Sequence, residues 1–145
     1  MKAIFLDRDG TINEDTQYLQ NESDIKIIDG VPEALRIFKD NGFLNIIVTN
    51  QSAIARGFLS LEDLENIHNR FKSLLTLDNR SLIDDIFYSP YHPDGIINEY
   101  SIRHNDTKPG IGMLLKAREK YLLNFDECYI IGDSLRDLEC GINAG

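Results

Sequence analysis

The sequence has no apolar run of membrane-spanning length, only two cysteines, and no excess of basic residues. Its first residues, Met1 and Lys2, lead directly into a predicted strand, so we expect no signal peptide. Cys128 and Cys140 lack the spacing of a metal-binding pair, and reduced thiols are usual in cytoplasmic proteins. The formal net charge of −9 argues against nonspecific nucleic-acid binding, which needs a basic surface. These absences predict a cytoplasmic protein that binds neither nucleic acid nor membrane.

The length and composition that are present suit one globular domain. A chain of 145 residues can build a single hydrophobic core, so we predict one domain over residues 1–145. Hydrophobic residues make up 42% of the chain and charged residues 27%, which are ordinary proportions for such a domain. The motifs therefore have to indicate the chemistry.

The most informative stretch is Asp-Arg-Asp-Gly-Thr-Ile-Asn, which begins at Asp7 and follows the short apolar run 3–6. That run is typical of a buried strand, so Asp7 and Asp9 stand where the strand ends. A carboxylate can attack phosphorus as a nucleophile, and neighbouring carboxylates favour a hard cation such as Mg²⁺ between them. Asp and Gly after a strand are also typical of an ordinary turn, so both interpretations stay open for this stretch alone.

Helical and strand patterns alternate along the rest of the chain. Each predicted strand is a short, continuous apolar run, which indicates an α/β fold with a doubly wound parallel sheet covered on both faces. The loop at residues 89–107 has no clear secondary structure and is long enough to be functional. The patterns predict helices at 31–41, from 61, at 110–122 and from 135, and strands at 3–6, 44–48, 85–88 and 128–131.

Polar residues follow three of these strands, and Lys108 lies just before the third helix near the same edge of the sheet. In a parallel sheet, ligands collect at the edge formed by the carboxyl ends of the strands. Phosphoryl transfer needs a nucleophile, a proton carrier and positive charge around the phosphoryl oxygens. Asp7 suits attack and Asp9 suits proton transfer. Asp133 suits an oxygen cage for Mg²⁺ together with Asp7 and a backbone carbonyl, supported by Asp137. Thr49 and the backbone after it, with Lys108, suit phosphate binding. Each of these residues alone is also typical of a turn, a solvated side chain or a helix N-cap.

Four motifs in this order resemble those of the haloacid dehalogenase superfamily of phosphohydrolases. They lie at residues 7–11, 49–50, 108–109 and 132–137, and the resemblance runs over essentially the whole chain. Within the superfamily, residues 7–13 and 49–57 are similar to the heptose 1,7-bisphosphate phosphatases and the related histidinol-phosphate phosphatases. The resemblance implies a Rossmann-like core without a cap domain, because no cap-sized insertion fits between the first three strands.

The resemblance also implies an activity and a set of site residues. We expect a Mg²⁺-dependent phosphomonoesterase with a phospho-Asp7 intermediate, acting on a small phosphorylated metabolite such as heptose 1,7-bisphosphate. Histidinol phosphate is the alternative substrate, and a non-catalytic phosphate-binding regulator is the alternative class. The implied catalytic residues are Asp7 and Asp9, the implied metal ligands are Asp7, Asp9 and Asp133, and the implied phosphate or substrate binders are Arg8, Gly10, Thr49, Asn50, Arg56 and Lys108.

The sequence departs from that group in two places. Relatives usually carry a zinc loop that starts Cys-Pro-x-His and ends Cys-x-Cys before the Lys-Pro, but the corresponding segments here are 89–92 and 104–106, without cysteine. We therefore do not expect structural zinc, although His92, Asp94, His104 and Asp106 are possible ligands by type. The final strand usual in this fold also has no counterpart before Gly145. An unpaired sheet edge is usually covered, so we expect a truncated chain or a partner subunit there.

Overall fold

The computed structural model describes all residues, 1–145, and its centre is a four-stranded parallel sheet. The strands lie in the order β5-β2-β1-β6, so β1 at the start of the chain lies inside the sheet. This arrangement confirms the predicted α/β fold. The sheet strands are β1 (Lys2–Leu6), β2 (Phe43–Asn50), β5 (Asp85–Ser89) and β6 (Tyr129–Ile131).

Four helices cover the sheet, two on each face. Side chains alternate along β1, so Ile4 and Leu6 pack with the helices on one face and Ala3 and Phe5 with those on the other. One core cluster includes residues of the first two helices and the second cluster includes residues of the last two. The helices are α1 (Val31–Asp40), α2 (Leu61–Leu74), α3 (Gly112–Tyr121) and α4 (Leu135–Ala144).

A small antiparallel hairpin follows α2, and the hydrophobic pattern did not predict it. Its strands are β3 (Thr76–Leu77) and β4 (Arg80–Ser81), which pair with each other outside the main sheet. Asp78 and Asn79 connect them, and both have positive φ angles of 50° and 60°. Such a two-residue connection is the type I′ turn preferred by hairpins, whereas strands of two residues are too short to give a periodic signal.

The strand register brings the chain segments of interest to one edge. Leu6 pairs with Ile47 on one side and Ile131 on the other, so β1, β2 and β6 end close together. Asp7 continues the contact, because its N–H donates to the Ile131 carbonyl at 2.9 Å. Two short 3-10 turns, Glu22–Asp24 and Phe125–Glu127, complete the regular structure. No helix is both long enough and apolar enough to span a membrane.

Candidate active site

A polar cleft of about 610 Å³ opens at the carboxyl edge of the sheet. It collects residues that are up to 129 positions apart in sequence, from Asp7 to Arg136. The cleft is bounded by the loops after β1, β2 and β6 and by the segment that precedes α3. Seven of the nine residues expected from the sequence line it: Asp7, Asp9, Thr49, Asn50, Arg56, Lys108 and Asp133.

Lys108 is the buried cation of this cleft, and its side chain is only 3% exposed. Its ammonium donates to Asp7 Oδ1 at 2.9 Å, to Asp137 Oδ1 at 2.5 Å and to the Val48 carbonyl at 2.8 Å. The three bonds use all three N–H donors of a lysine. Lys108 is therefore fixed against the nucleophile candidate, and it neutralises charge from the buried Asp137 and the partly buried Asp7.

Asn50 holds the main chain of Lys108 in place. The Asn50 amide donates to the Lys108 carbonyl at 3.1 Å, and its Oδ1 accepts the Lys108 N–H at 2.9 Å. This pair of bonds ties the end of β2 to the segment before α3, although 58 residues separate them in sequence. Asn50 thus acts on the site through Lys108, which is a different contact from the substrate contact expected of it.

The two carboxylates beside Lys108 have opposite pKa shifts. Burial raises the pKa of Asp7 above its ordinary value, and the charge and hydrogen bond of Lys108 offset only part of that increase. Burial also favours the neutral form of Asp137, but the bonds from Lys108 and Ser134 outweigh burial and lower the pKa of Asp137. Asp137 is therefore the firm anionic partner of Lys108, whereas Asp7 is easier to neutralise.

Asp9 accepts four hydrogen bonds from three side chains. Arg8 donates through Nε at 3.1 Å and through Nη2 at 2.9 Å, one bond to each carboxylate oxygen. Asn13 donates to Oδ1 and Gln51 donates to Oδ2, both at 3.0 Å. Gln51 also donates to the Thr49 hydroxyl at 2.9 Å, which links the two sides of the cleft. Sequence reasoning missed Asn13 and Gln51, although both belong to the motifs that carried the resemblance.

Two expected phosphate binders need correction. The Arg8 side chain is fully buried behind Asp9 and does not line the cleft, because residues 7, 8 and 9 alternate in direction as they leave β1. Gly10 makes the turn with φ +83°, and its N–H donates to the Asn13 carbonyl at 2.8 Å. Neither group is free to donate to a phosphate, so their contributions are internal.

A possible metal site lies where three carboxylates meet. Oxygen atoms of Asp7, Asp133 and Asp137 all lie within 4.8 Å of one another. The Asp9 carboxylate is not in this group, and the expected place of Asp9 in the metal site stays a prediction. The Asp137 carboxylate lies nearer to Asp7 and Asp133 than expected of a residue that only supports the metal ligands. Hard oxygen donors of this kind fit Mg²⁺, with Asp7 and Asp133 the accessible pair because Asp137 is bound to Lys108 and Ser134.

Two glycines allow these carboxylates to approach the backbone. A Cβ on Gly10 would collide with the Asp133 carboxylate, and its positive φ is itself unfavourable for other residues. A Cβ on Gly132 would likewise collide with the Asp137 side chain. Asp137 also closes a capping box with Ser134 at the start of α4, which fixes the direction of the chain after β6.

The loop 89–107 is held by side-chain contacts. The ring of Tyr91 stacks on His104 with centroids 4.0 Å apart, and Asp106 pairs with Lys116 on α3. The Nδ1 atoms of His92 and His104 accept N–H groups of their own loop, from Asp94 and Asp106. The potential ligands of the loop are not gathered in the way that those around Asp7 are, and the absence of structural zinc stays a prediction.

Arg56 and His92 face the cleft from this loop and from the segment after β2. Arg56 Nη2 lies 3.3 Å from His92 Nε2, and Arg56 Nε has no partner in the protein. Arg56 and Arg136 add positive charge to a cleft that also contains four carboxylates. The arrangement can therefore bind an anion beside the carboxylate cluster.

Comparison with known sequences identifies a consistent set of similar proteins. The HAD-hydrolase-like family matches residues 106–145. The chain is 39% identical over 142 residues to the D-glycero-beta-D-manno-heptose-1,7-bisphosphate 7-phosphatase of Escherichia coli K12, an alignment that covers 98% of this chain and 74% of that protein. Identity to the protein of the same name from Haemophilus influenzae is 40% over 143 residues, which covers 99% and 77% of the two chains.

Comparison with solved structures gives the same result. A HAD-like phosphatase of Mesorhizobium loti matches with a TM-score of 0.93 at 34% identity, over 100% of this chain and 69% of that one. The D,D-heptose 1,7-bisphosphate phosphatase of B. bronchiseptica, solved with magnesium and phosphate, matches with a TM-score of 0.87 at 29% identity. That alignment covers 100% of this chain and 77% of the other.

Proposed function

Because this chain is a phosphatase that belongs to the haloacid dehalogenase superfamily, in the family of the heptose 1,7-bisphosphate 7-phosphatases, we propose that it hydrolyses phosphate monoesters through a covalent phospho-Asp7 intermediate with Mg²⁺. One observation carries the proposal. Residues from four separate segments, Asp7, Asp9, Thr49, Lys108 and Asp133, line a single cleft. The set supplies a nucleophile, a proton carrier, phosphate donors and a cation site in one place.

In the first step, Asp7 attacks the substrate phosphorus. Lys108 holds Asp7 Oδ1, which leaves Oδ2 to form the new bond to phosphorus. The bond between phosphorus and the ester oxygen breaks, and the departing oxygen takes a proton from Asp9 acting as a general acid. The products of this step are the free alcohol, phospho-Asp7 and the Asp9 carboxylate.

In the second step, a water molecule hydrolyses phospho-Asp7. Asp9 accepts a proton from the water, whose oxygen attacks phosphorus while the bond from phosphorus to Asp7 breaks. Inorganic phosphate leaves, and both carboxyl groups return to their starting states. Thr49 and Lys108 stabilise the phosphoryl oxygens through a hydroxyl donor and a positive charge, which are the contributions that phosphoryl transfer requires most.

The metal centre of this proposal consists of Asp7 and Asp133. Bound Mg²⁺ supplies positive charge that offsets the repulsion between these carboxylates and the phosphoryl group. Asp137 supports them through Lys108 and does not need to contact the ion. The magnesium and phosphate in the B. bronchiseptica relative support this assignment, since that protein has the same fold.

The preferred substrate in this proposal is D-glycero-D-manno-heptose 1,7-bisphosphate. The relatives that cover nearly the whole chain are named for that substrate. A cleft of about 610 Å³ lies within the usual range of small-molecule sites. Arg56 and Arg136 line the same cleft and can neutralise a second phosphate, which histidinol phosphate lacks.

The test is a substrate panel followed by ³¹P NMR, with Mg²⁺ or with excess EDTA. The panel contains heptose 1,7-bisphosphate, histidinol phosphate and p-nitrophenyl phosphate. We expect the fastest release of phosphate from heptose 1,7-bisphosphate. We also expect phosphatase activity to be lost in EDTA and in Asp7→Asn. Asp40→Asn on α1 is the matched control, because Asp40 is an exposed carboxylate far from the cleft in the fold. Phosphate binding without turnover of any panel member would instead indicate a regulatory binder.

A further inference from the structure

The Arg8 side chain is a buried charge that the catalytic steps above do not use. Its side chain has no exposed surface, although Asp7 and Asp9 on either side both reach the cleft. Burial lowers the pKa of the Arg8 guanidinium, and the nearby Asp9 charge offsets part of that effect. An arginine remains protonated even so, and a buried cation is retained only where partners satisfy it. Those partners therefore indicate what Arg8 does.

Arg8 contacts the proton carrier on one side and helix α2 on the other. Two of its nitrogens, Nε and Nη2, donate to the two oxygens of Asp9. The third, Nη1, lies 3.2 Å from His68 Nε2, and the Phe71 ring centroid lies 5.4 Å from the guanidinium carbon. Because the guanidinium is planar and rigid, a fixed partner on Nη1 also fixes the direction of the two bonds to Asp9.

His68 can serve only as an acceptor in this contact. Arg8 has no lone pair to offer, so Nε2 of His68 must be unprotonated and the ring neutral. Burial lowers the pKa of His68 to about 3, and the charges of Arg8 and Lys72 act in the same direction. The ring is 7% exposed and lies in the buried stripe of α2 with Leu64, Ile67 and Phe71.

We propose that His68 is a positioning residue for the acid/base Asp9 and that it acts through Arg8. The neutral ring orients the guanidinium, and the guanidinium sets where the Asp9 carboxyl presents its proton to the departing oxygen. This inference rests on the proposed role of Asp9. His68 does not contact substrate and is 60 residues from Arg8 in sequence, so only the fold brings the two together.

The test uses two leaving groups that differ in their need for a proton. A p-nitrophenolate leaves without protonation, whereas the alkoxide of a sugar phosphate needs the general acid. The values of kcat/KM for p-nitrophenyl phosphate and heptose bisphosphate report the first chemical step for each substrate. Glycerol phosphate replaces heptose bisphosphate if the protein does not hydrolyse the latter. Since general acids contribute about 10²–10⁴-fold, we expect His68→Leu to lose about tenfold or more on the sugar phosphate and less than about threefold on the aryl ester.

Conservative and packing variants separate positioning from folding. His68→Gln retains an acceptor that can reach Arg8 Nη1, so it should restore the wild-type ratio of the kcat/KM values for the two substrates. The side chain of His68→Asn is too short and should not restore that ratio. Ile67→Val perturbs the same buried stripe without touching Arg8 and should leave the ratio unchanged. The Gln and Asn pair remains informative if His68→Leu does not fold.

Three results would overturn the inference. In the first, His68→Leu lowers kcat/KM by the same factor for both substrates. In the second, it lowers kcat/KM for neither, and in the third, His68→Gln gives the same ratio of kcat/KM values as His68→Asn. A separate variant tests the proposed function on which the inference depends. If Asp9→Asn reduces both substrates equally, the general-acid role itself is wrong, and the failure lies with Asp9 and not with His68.

Discussion

Replacement of Lys108 with methionine removes the cation between the buried Asp137 and the partly buried Asp7 and keeps a similar side-chain length. The Asp7 side chain is 14% exposed and that of Asp137 is 3% exposed, so neither gains full hydration when the ammonium is lost. Removal of one member of a buried ion pair typically costs about 3–5 kcal/mol. Since a domain of this size shifts its Tm by about 3–4 °C per kcal/mol, we expect Lys108→Met to lower Tm by roughly 10–20 °C.

The pH dependence of that loss identifies its cause. The pKa of Asp137 is lowered in the folded protein, so its ionised form contributes stability at neutral pH that is lost as the pH falls through its folded pKa. Asp7, whose pKa is raised, protonates first as the solution becomes acidic. Both carboxylates become easier to neutralise without Lys108, so the deficit of Lys108→Met should shrink below about pH 5.

Urea denaturation of wild type and variant at pH 7.5 and pH 4.5 measures both effects. The control is Lys120→Met, which removes a more exposed lysine paired with Asp85 and should destabilise the protein much less, because solvent screens an exposed pair. A double-mutant cycle with Asp137→Asn should recover part of the loss, because one of the stranded charges is then absent. A deficit for Lys108→Met below about 1 kcal/mol, or one that is the same at both pH values, would refute the reasoning.

Three further predictions concern neighbouring parts of the site. Gly10→Ala should reduce activity at least about tenfold, because its Cβ collides with Asp133 and its φ is positive; Gly30→Ala, with the same φ but no neighbour within 4 Å, is the activity control in the same phosphatase assay. Asn50→Ala should lower kcat/KM by about tenfold through loss of both bonds to the Lys108 main chain, whereas Asn41→Ala on the surface should not. The free energy of unfolding should fall by about 1.6 kcal/mol more in wild type than in His68→Gln between pH 6.5 and pH 5, because only the unfolded histidine gains a proton there. Equal slopes by urea denaturation would contradict the lowered pKa of His68.

The sheet could be predicted because its strands have a strong local signal. Continuous apolar runs such as Ile4–Leu6 and Ile46–Val48 are buried on both faces, and such runs have few alternatives to a parallel strand. Strand ends then place Asp7, Thr49 and Asp133 at one edge by topology alone. The hairpin at 76–81 was missed because its strands are too short for a periodic pattern, although Asp78-Asn79 is a turn signal.

The internal connections of the site could not be predicted in the same way. The contacts of Gln51 with Asp9 and of His68 with Arg8 join positions 42 and 60 residues apart, and nothing in the local sequence specifies such pairs. Arg8 is different, because strand alternation already implies that it points away from Asp7 and Asp9. Its position next to the nucleophile suggested a substrate contact, and the alternation was the stronger argument.

The most direct test of the central claim is chemical trapping of the intermediate. Enzyme is mixed with ³²P-labelled substrate and Mg²⁺, quenched in acid within the first turnover, and digested for peptide mapping. The account predicts label on the peptide that contains Asp7, release of that label by hydroxylamine, and no label in Asp7→Asn. Multiple turnovers without acid-stable label, together with undiminished activity in Asp7→Asn, would contradict it.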